Sequence, residues 1–268
     1  MKVPKASILI CSLNRQESLD RLLDSLKQQT FQDFEIILCQ EEGNLVELKD
    51  KGWRKAKGEI VIWLDDDVIC DKHWLENIVE EFKTNPHVIG LTGLTLVPKE
   101  YLKNRDILSG GFKLWIYNKI FLNNKMLYPG RISSWGASML GANYATIHSY
   151  KTQEVDFLEP CQFAFRKDWV ERVGGFDLNF KGVAEWCDVD LCYKIKKSGG
   201  TLLYHPDIKV YHYPIKGDKV YNKRLETDSR YQNYCRWADR WLKLSLKNKI
   251  YRLFLRIYFW LKNEKKIF

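Results

Sequence analysis

The sequence predicts an α/β protein, a mainly parallel sheet flanked by helices, that ends in a basic, amphipathic helical tail. Three observations carry this expectation. Short apolar, β-branched runs alternate with helix-periodic segments through residues 6–83, as βαβ units with right-handed crossovers require. Two later helix-periodic segments close on glycine pairs, Gly174-Gly175 and Gly199-Gly200. The charge is also segregated: residues 236–268 carry ten Lys and Arg against Asp239 and Glu264, a net of +8 out of +9, which leaves +1 for the first 235 residues.

Element by element, residues 6–11 form an apolar strand, and Leu19, Leu22, Leu23 and Leu26 then fall at helical spacing after Asn14, with Glu17 completing a capping-box start. Residues 34–39 are the second strand. A polar stretch with a short helix near 45–53 leads to the third, residues 59–64, which runs straight into Asp65-Asp66-Asp67 before a helix at 72–83. Residues 100–150, rich in glycine and aromatics without a clean period, read as a variable insertion or lid. Regular structure resumes over 156–165, followed by a short helix near 167–173 and a helix near 188–198. Two short strands, 201–205 and 208–212, close the core. The expected division is a domain over 1–225 and a helical tail over 226–268.

With 268 residues, 45% hydrophobic and 14% aromatic, the chain can bury a full core, which excludes disorder and any need for staples. Seven scattered cysteines without a Cys-x-x-Cys pair argue against a disulfide framework or zinc ribbon and fit a reducing compartment. No signal peptide and no run of ~20 apolar residues is apparent. The expected location is cytoplasmic, with peripheral attachment to the inner membrane face as the alternative.

The chemistry concentrates in two places. Three adjacent carboxylates repel one another unless a cation neutralises them, and Asp65-Asp66-Asp67 follow a strand, where open α/β sheets bind ligands. Hard oxygen ligands suit Mg²⁺ or Mn²⁺; the competing reading is a solvated turn or a cap for the next helix. Alternation along the chain lets Asp65 and Asp67 share a task while Asp66 faces elsewhere. Further on, Glu185, Asp188 and Asp190 sit at a helix start, whose partial positive charge keeps a carboxylate ionised and hence a candidate general base; ordinary first-turn acids are the plainer explanation.

Taken together, the stretches at 6–15, 26–38 and 56–67, with Gly174-Gly175-Phe176-Asp177 and Asp188-Val189-Asp190-Leu191, resemble the family 2 glycosyltransferases of the GT-A (Rossmann-like) fold. The resemblance implies an inverting transfer from a nucleotide-diphosphate sugar whose diphosphate is held by a divalent metal. Ser12, Asn14 and Arg15 would line the nucleotide pocket, and Asp65 or Asp66 would touch ribose or metal. Asp67 would be the main metal ligand, with His212 either a further ligand or a structural histidine at the end of its strand. Asp188 would be the base, and Lys49 would support the diphosphate.

This chain departs from the family in three places. Gln40 and Glu41 stand where an acidic residue usually reads the base, although uracil remains the expectation. Cys187 replaces the glutamate of the Glu-Asp pair, which makes Glu185 a rival base. Gln232 to Trp237 resembles the Gln-x-x-Arg-Trp motif of processive synthases with one residue too many. The expected acceptor is a glycan or lipid-linked hydroxyl in cell-surface polysaccharide or glycoconjugate synthesis. A non-catalytic sugar-nucleotide-binding homologue and a sugar-phosphate nucleotidylyltransferase are the alternatives. Nucleic acid is not an expected partner, because the core is nearly neutral and lacks a recognition motif.

In the tail, Leu242, Leu246, Ile250, Leu253, Phe254, Ile257, Tyr258 and Leu261 make a helical stripe flanked by Lys243, Lys247, Arg252 and Arg256. This pattern fits either a membrane-surface anchor through residues 236–268 or a helix packed on the core with a solvated basic face.

Overall fold

The structure is a computed structural model that describes residues 2–98, 101, 112–122, 130–138, 151–214 and 229–264. Most of the expected 100–150 insertion therefore lies outside the described residues. The strands are β1 (Ala6–Cys11), β2 (Phe34–Cys39), β3 (Ile60–Leu64), β4 (Val68–Cys70), β5 (Val88–Leu96), β6 (Gln153–Glu154), β7 (Gln162–Arg166) and β8 (Thr201–His212). The helices are α1 (Gln16–Lys27), α2 (Leu45–Lys55), α3 (Trp74–Thr84), α4 (Phe112–Phe121), α5 (Lys167–Arg172), α6 (Cys187–Lys197), α7 (Ser229–Trp241) and α8 (Leu246–Glu264).

The strands form one sheet in the order β2-β1-β3-β7-β5-β8-β4, with β6 also on β8. β1 pairs in parallel with β2 and β3, and β5 in parallel with β8. β7 runs antiparallel between β3 and β5, and β4 and β6 run antiparallel to β8. The α/β class is as expected, but the sheet is mixed rather than mainly parallel. Ile10 lies opposite Leu64, so the loop after β1 and the aspartate turn after β3 leave the same edge of the sheet. Val68 lies opposite His212, which brings the end of β8 to that edge as well.

β3 is buried on both faces, and its side chains alternate between two cores. Ile60, Ile62 and Leu64 face α1 and α3, while Val61 and Trp63 face α2, α5 and α6. Trp63 stacks on Phe163 with ring centroids 5.0 Å apart. Leu19, Leu22 and Leu26 of α1 are fully buried, each contributing ~1.5–3 kcal/mol by leaving water.

Several local expectations change. β5 was not anticipated, because Gly90 and Gly93 interrupt its apolar run; a Cβ at either would collide with Phe165 or with the Ile208 backbone, so close strand packing demands glycine. The two short C-terminal strands are one, β8, paired to β5 through a register shift between Gly93 and Leu94. The aspartate triplet does not cap α3: β4 intervenes, and it is Asp71 whose carboxylate accepts the His73 N–H.

The tail does pack on the core, through α7 and one face of α8. Trp237 of α7 lies on Trp186 at 4.6 Å, the Tyr251 and Tyr117 hydroxyls hydrogen-bond at 2.7 Å, and Phe254 meets Phe121 at 4.7 Å. The expected stripe is split: Leu242, Phe254 and Tyr258 turn inward, whereas Leu246, Ile250, Leu253 and Ile257 remain exposed. The Leu261 side chain lies outside the described residues. Among the described residues no helix is long and apolar enough to cross a membrane.

Candidate active site

The turn after β3 distributes its three carboxylates in different directions. Asp65 begins where the strand stops, its N–H donating to Cys161 O at 3.0 Å. Burial, followed by the neighbouring Asp67 carboxylate, pushes Asp65 up to about 6. Asp66 turns the other way. Arg15 Nη1 donates to its Oδ1 at 2.9 Å, the Ser12 hydroxyl bonds the same carboxylate, and Ser18 Oγ holds its carbonyl at 2.8 Å. Burial raises the Asp66 pKa, and Arg15 works against that shift. Asn14 adopts the left-handed region with φ 58°, which asparagine tolerates, and so aims Arg15 back across the sheet edge.

Asp67 stands between two cationic or neutral nitrogen donors. His212 Nε2 is 3.1 Å from its Oδ1 and Arg15 Nη1 is 3.8 Å from its Oδ2. The Tyr213 N–H donates to the Asp67 carbonyl at 2.8 Å, which fixes the end of β8 against the turn. On its other ring nitrogen His212 meets Cys161 Sγ at 3.7 Å. The structure thus brings together Ser12, Arg15, Asp65, Asp66, Asp67 and His212.

The second constellation joins this one through Lys49. Its Nζ donates to Asp188 Oδ1 at 2.8 Å, with both side chains about nine-tenths buried. Burial alone would pull the Lys49 ammonium down, but the Asp188 carboxylate outweighs it, aided by Asp65, and the group lies above its ordinary value. Lys49 therefore sits between the base candidate and the aspartate turn.

Glu185 is on the turn before α6 and is more open, its side chain 35% exposed and 3.0 Å from Arg230 Nε. It lies between Ala184 and Trp186, both with positive φ (55° and 74°), a conformation costing roughly 1–2 kcal/mol for a residue with a Cβ. The rings of Trp237 and Tyr234 hold Trp186 there. Gln40 and Glu41 are exposed at the end of β2, where Glu41 pairs with Lys51 at 3.3 Å; they do not touch the carboxylate cluster.

Sequence reasoning missed the tail's part in this site. Asp190, fully buried, receives Arg240 Nη1 on both oxygens at 2.9 Å and Trp241 Nε1 at 2.7 Å, and Arg240 Nη2 also reaches Asp177. Arg240 carried no local signal, being one of ten tail cations. Cys161 likewise gave no pattern.

Known proteins resemble the chain in sequence and in fold. Residues 40–174, half of the chain, match the family described as Glycosyl transferase family 2; the match includes Lys49 and the aspartate turn and ends before α6. A glucosyl-dolichyl phosphate glucuronosyltransferase of Haloferax volcanii is 21% identical over 84% of this chain and 72% of its own. Polypeptide N-acetylgalactosaminyltransferase 4 of Caenorhabditis elegans is 21% identical over 78% of this chain but only 34% of its own length.

Two solved structures share the fold. One is GalNAc-T7 with UDP, GalNAc and Mn²⁺ (TM-score 0.59, 15% identity, 90% of this chain, 48% of that one). The other is the mannosyltransferase PcManGT from Pyrobaculum calidifontis in complex with GDP-Man and Mn²⁺ (TM-score 0.56, 16% identity, 98% and 72%). The chain spans about half of the first structure and about a third of the nematode enzyme. By its family match and its mixed GT-A sheet, the chain belongs to glycosyl transferase family 2.

Proposed function

We propose that the chain moves a sugar, with inversion, from a nucleoside-diphosphate sugar to a hydroxyl of a glycan or lipid-linked acceptor in cell-surface glycoconjugate synthesis. The observation that supports this most is the convergence at one sheet edge of Arg15, the aspartate turn, His212 and the Lys49–Asp188 pair. The UDP of GalNAc-T7 favours a UDP-linked donor, and the name of the Haloferax relative favours a lipid-linked acceptor.

The donor set fits a divalent cation. Asp67 and His212 present an oxygen and a nitrogen 3.1 Å apart, beside a second buried carboxylate on Asp65. Among the described residues no three ligating side chains form a closed cage, and Mg²⁺ or Mn²⁺ bound with a diphosphate needs only one or two protein ligands. Asp67 and His212 would hold it, with Asp65 nearby. When bound, the ion neutralises charge growing on the leaving diphosphate.

The remaining roles belong to the protein's own groups. Arg15 holds Asp66, and so the turn, in place. Ser12 and Asn14, with Gln40 and Glu41 at the neighbouring strand end, are positioned to surround the nucleoside. Lys49 is engaged by Asp188 and supports the base rather than the diphosphate. Asp188 takes the acceptor hydroxyl's proton on Oδ2, since Oδ1 carries the lysine bond. A second reading makes Glu185 the base, favoured by its exposure on the turn preceding α6.

The test uses UDP- and GDP-sugars with Mn²⁺, reading nucleotide release and binding separately. Asp188→Asn should lower kcat by ~10²–10⁴ with donor affinity retained. If Glu185→Gln shows that loss and Asp188→Asn does not, the base assignment passes to Glu185. A chain that binds no sugar nucleotide in the presence of Mn²⁺ would refute the whole reading.

A further inference from the structure

α8 carries two apolar faces, and the core uses only one. At 100° per residue, Leu246, Ile250, Leu253, Ile257 and Trp260 fall within an arc of about 80°, opposite the buried Asn248 and Tyr251. They are 74%, 45%, 58%, 49% and 58% exposed and form a row about 21 Å long. Exposed Lys249 and Arg256 lie along one border of this row, and exposed Lys243 and Lys247 lie at its N-terminal end.

We propose that this face lies flat on a bilayer surface with anionic headgroups. The row is the apolar half of an interfacial helix already held folded by its other face, so docking costs no helix ordering. The charge matches: the tail holds +8 of the protein's +9. Three tail cations are committed elsewhere, Arg236 and Arg240 to Asp177 and Asp190, and Arg252 to Asp239 at 2.7 Å; the four named above lie beside the apolar row, Lys247 also meeting the Trp135 ring at 5.8 Å. Pairing with a second copy through this face would set the Lys249 and Arg256 borders against like charge. A phosphate backbone would satisfy the cations and leave five apolar side chains against a polar groove.

The inference goes beyond glycosyl transfer, and its test reads partitioning rather than turnover. The full chain is sedimented with vesicles of phosphatidylcholine alone and with 30% phosphatidylglycerol, a composition chosen to give about the charge of a bacterial-type anionic surface. Binding is expected only with the anionic vesicles, weakening about fivefold for each of Lys243, Lys247, Lys249 and Arg256 changed to Gln. The triple variant Leu253→Glu, Ile257→Glu, Trp260→Glu should lose vesicle binding while its melting temperature and near-ultraviolet circular dichroism stay at wild-type values, since those side chains pack on nothing in the core. Bromolipid quenching should fall in Trp260→Phe relative to the wild-type chain. A chain that ignores anionic vesicles, dimerises through this face, or loses vesicle binding to a generic duplex DNA competitor but not in the triple variant, overturns the proposal.

Discussion

Replacing Lys49 with methionine tests the electrostatic core of the site. Its ammonium lies 2.8 Å from Asp188 Oδ1 with the two side chains 10% and 7% exposed. At an effective dielectric constant of ~20, charges so close attract by ~6 kcal/mol, and most of that offsets the desolvation of both groups. Removing the ammonium alone strands a buried carboxylate, which costs ~3–5 kcal/mol. In a protein of this size each kcal/mol lowers the melting temperature by ~2–4 °C, so Lys49→Met should melt ~6–20 °C lower.

Lys49→Met/Asp188→Asn removes both charges and should regain most of that loss, a coupling of at least ~2 kcal/mol in the double-mutant cycle. Turnover should fall in Lys49→Met as well, because the proposed base loses the lysine bond that fixes its Oδ1. Calorimetry and a nucleotide-release assay read both effects. A Lys49→Met protein melting within ~2 °C of wild type, or strictly additive single effects, would refute the buried pair.

Arg240→Met leaves fully buried Asp190 without its two-pronged partner and should cost ~1.5–3 kcal/mol in urea unfolding; a loss under ~0.5 kcal/mol would mean that α7 is not anchored there. Gly175 has φ +70° and its Cβ would stand 2.7 Å from Asp50 Oδ1, so Gly175→Ala should destabilise by at least ~1–2 kcal/mol, measurable as a lower melting temperature. Against partial burial, the Asn179 N–H and Arg240 hold Asp177 down to about 2; a depressed carboxyl stabilises above its unfolded value of ~3.9. The α7 contact should therefore keep its near-ultraviolet signal down to about pH 4 and lose it between there and about pH 2; loss by pH 5.5 contradicts this. Chelation should abolish transfer and added Mn²⁺ restore it, with Asp67→Ala and His212→Ala raising the Mn²⁺ requirement.

Much of the first half of the fold was legible because its information is local. β1, β2, β3 and the aspartate turn each combine an apolar run with a nearby break, and β2 begins and ends where the pattern does. The direction of β7 was not legible, because pairing orientation depends on where a distant segment returns to the sheet. β5 was hidden by the glycines that let it pack against Phe165 and Ile208. In the site, residue types and strand-end position pointed to Asp65 and Asp67, and the family resemblance to His212, but pairing did not follow from sequence. Lys49 and Asp188 are 139 residues apart, and their bond forms only because α2 and α6 pack on one face of the sheet. The tail's buried and exposed apolar residues were likewise fused in one hydrophobic stripe until packing separated the inward side chains from the outward ones.

The Arg240–Asp190 contact bears on the order in which a growing chain can assemble itself. All eight strands among the described residues are present once His212 has been synthesised, so the sheet can close early. α6, which carries both Asp188 and Asp190, receives its last cation and the ring that backs Trp186 only when α7 follows. The helix holding the proposed base is thus secured only after the sheet that supports it. A nascent chain arrested between the two would own a finished sheet and an unfinished site, a natural delay between folding and competence.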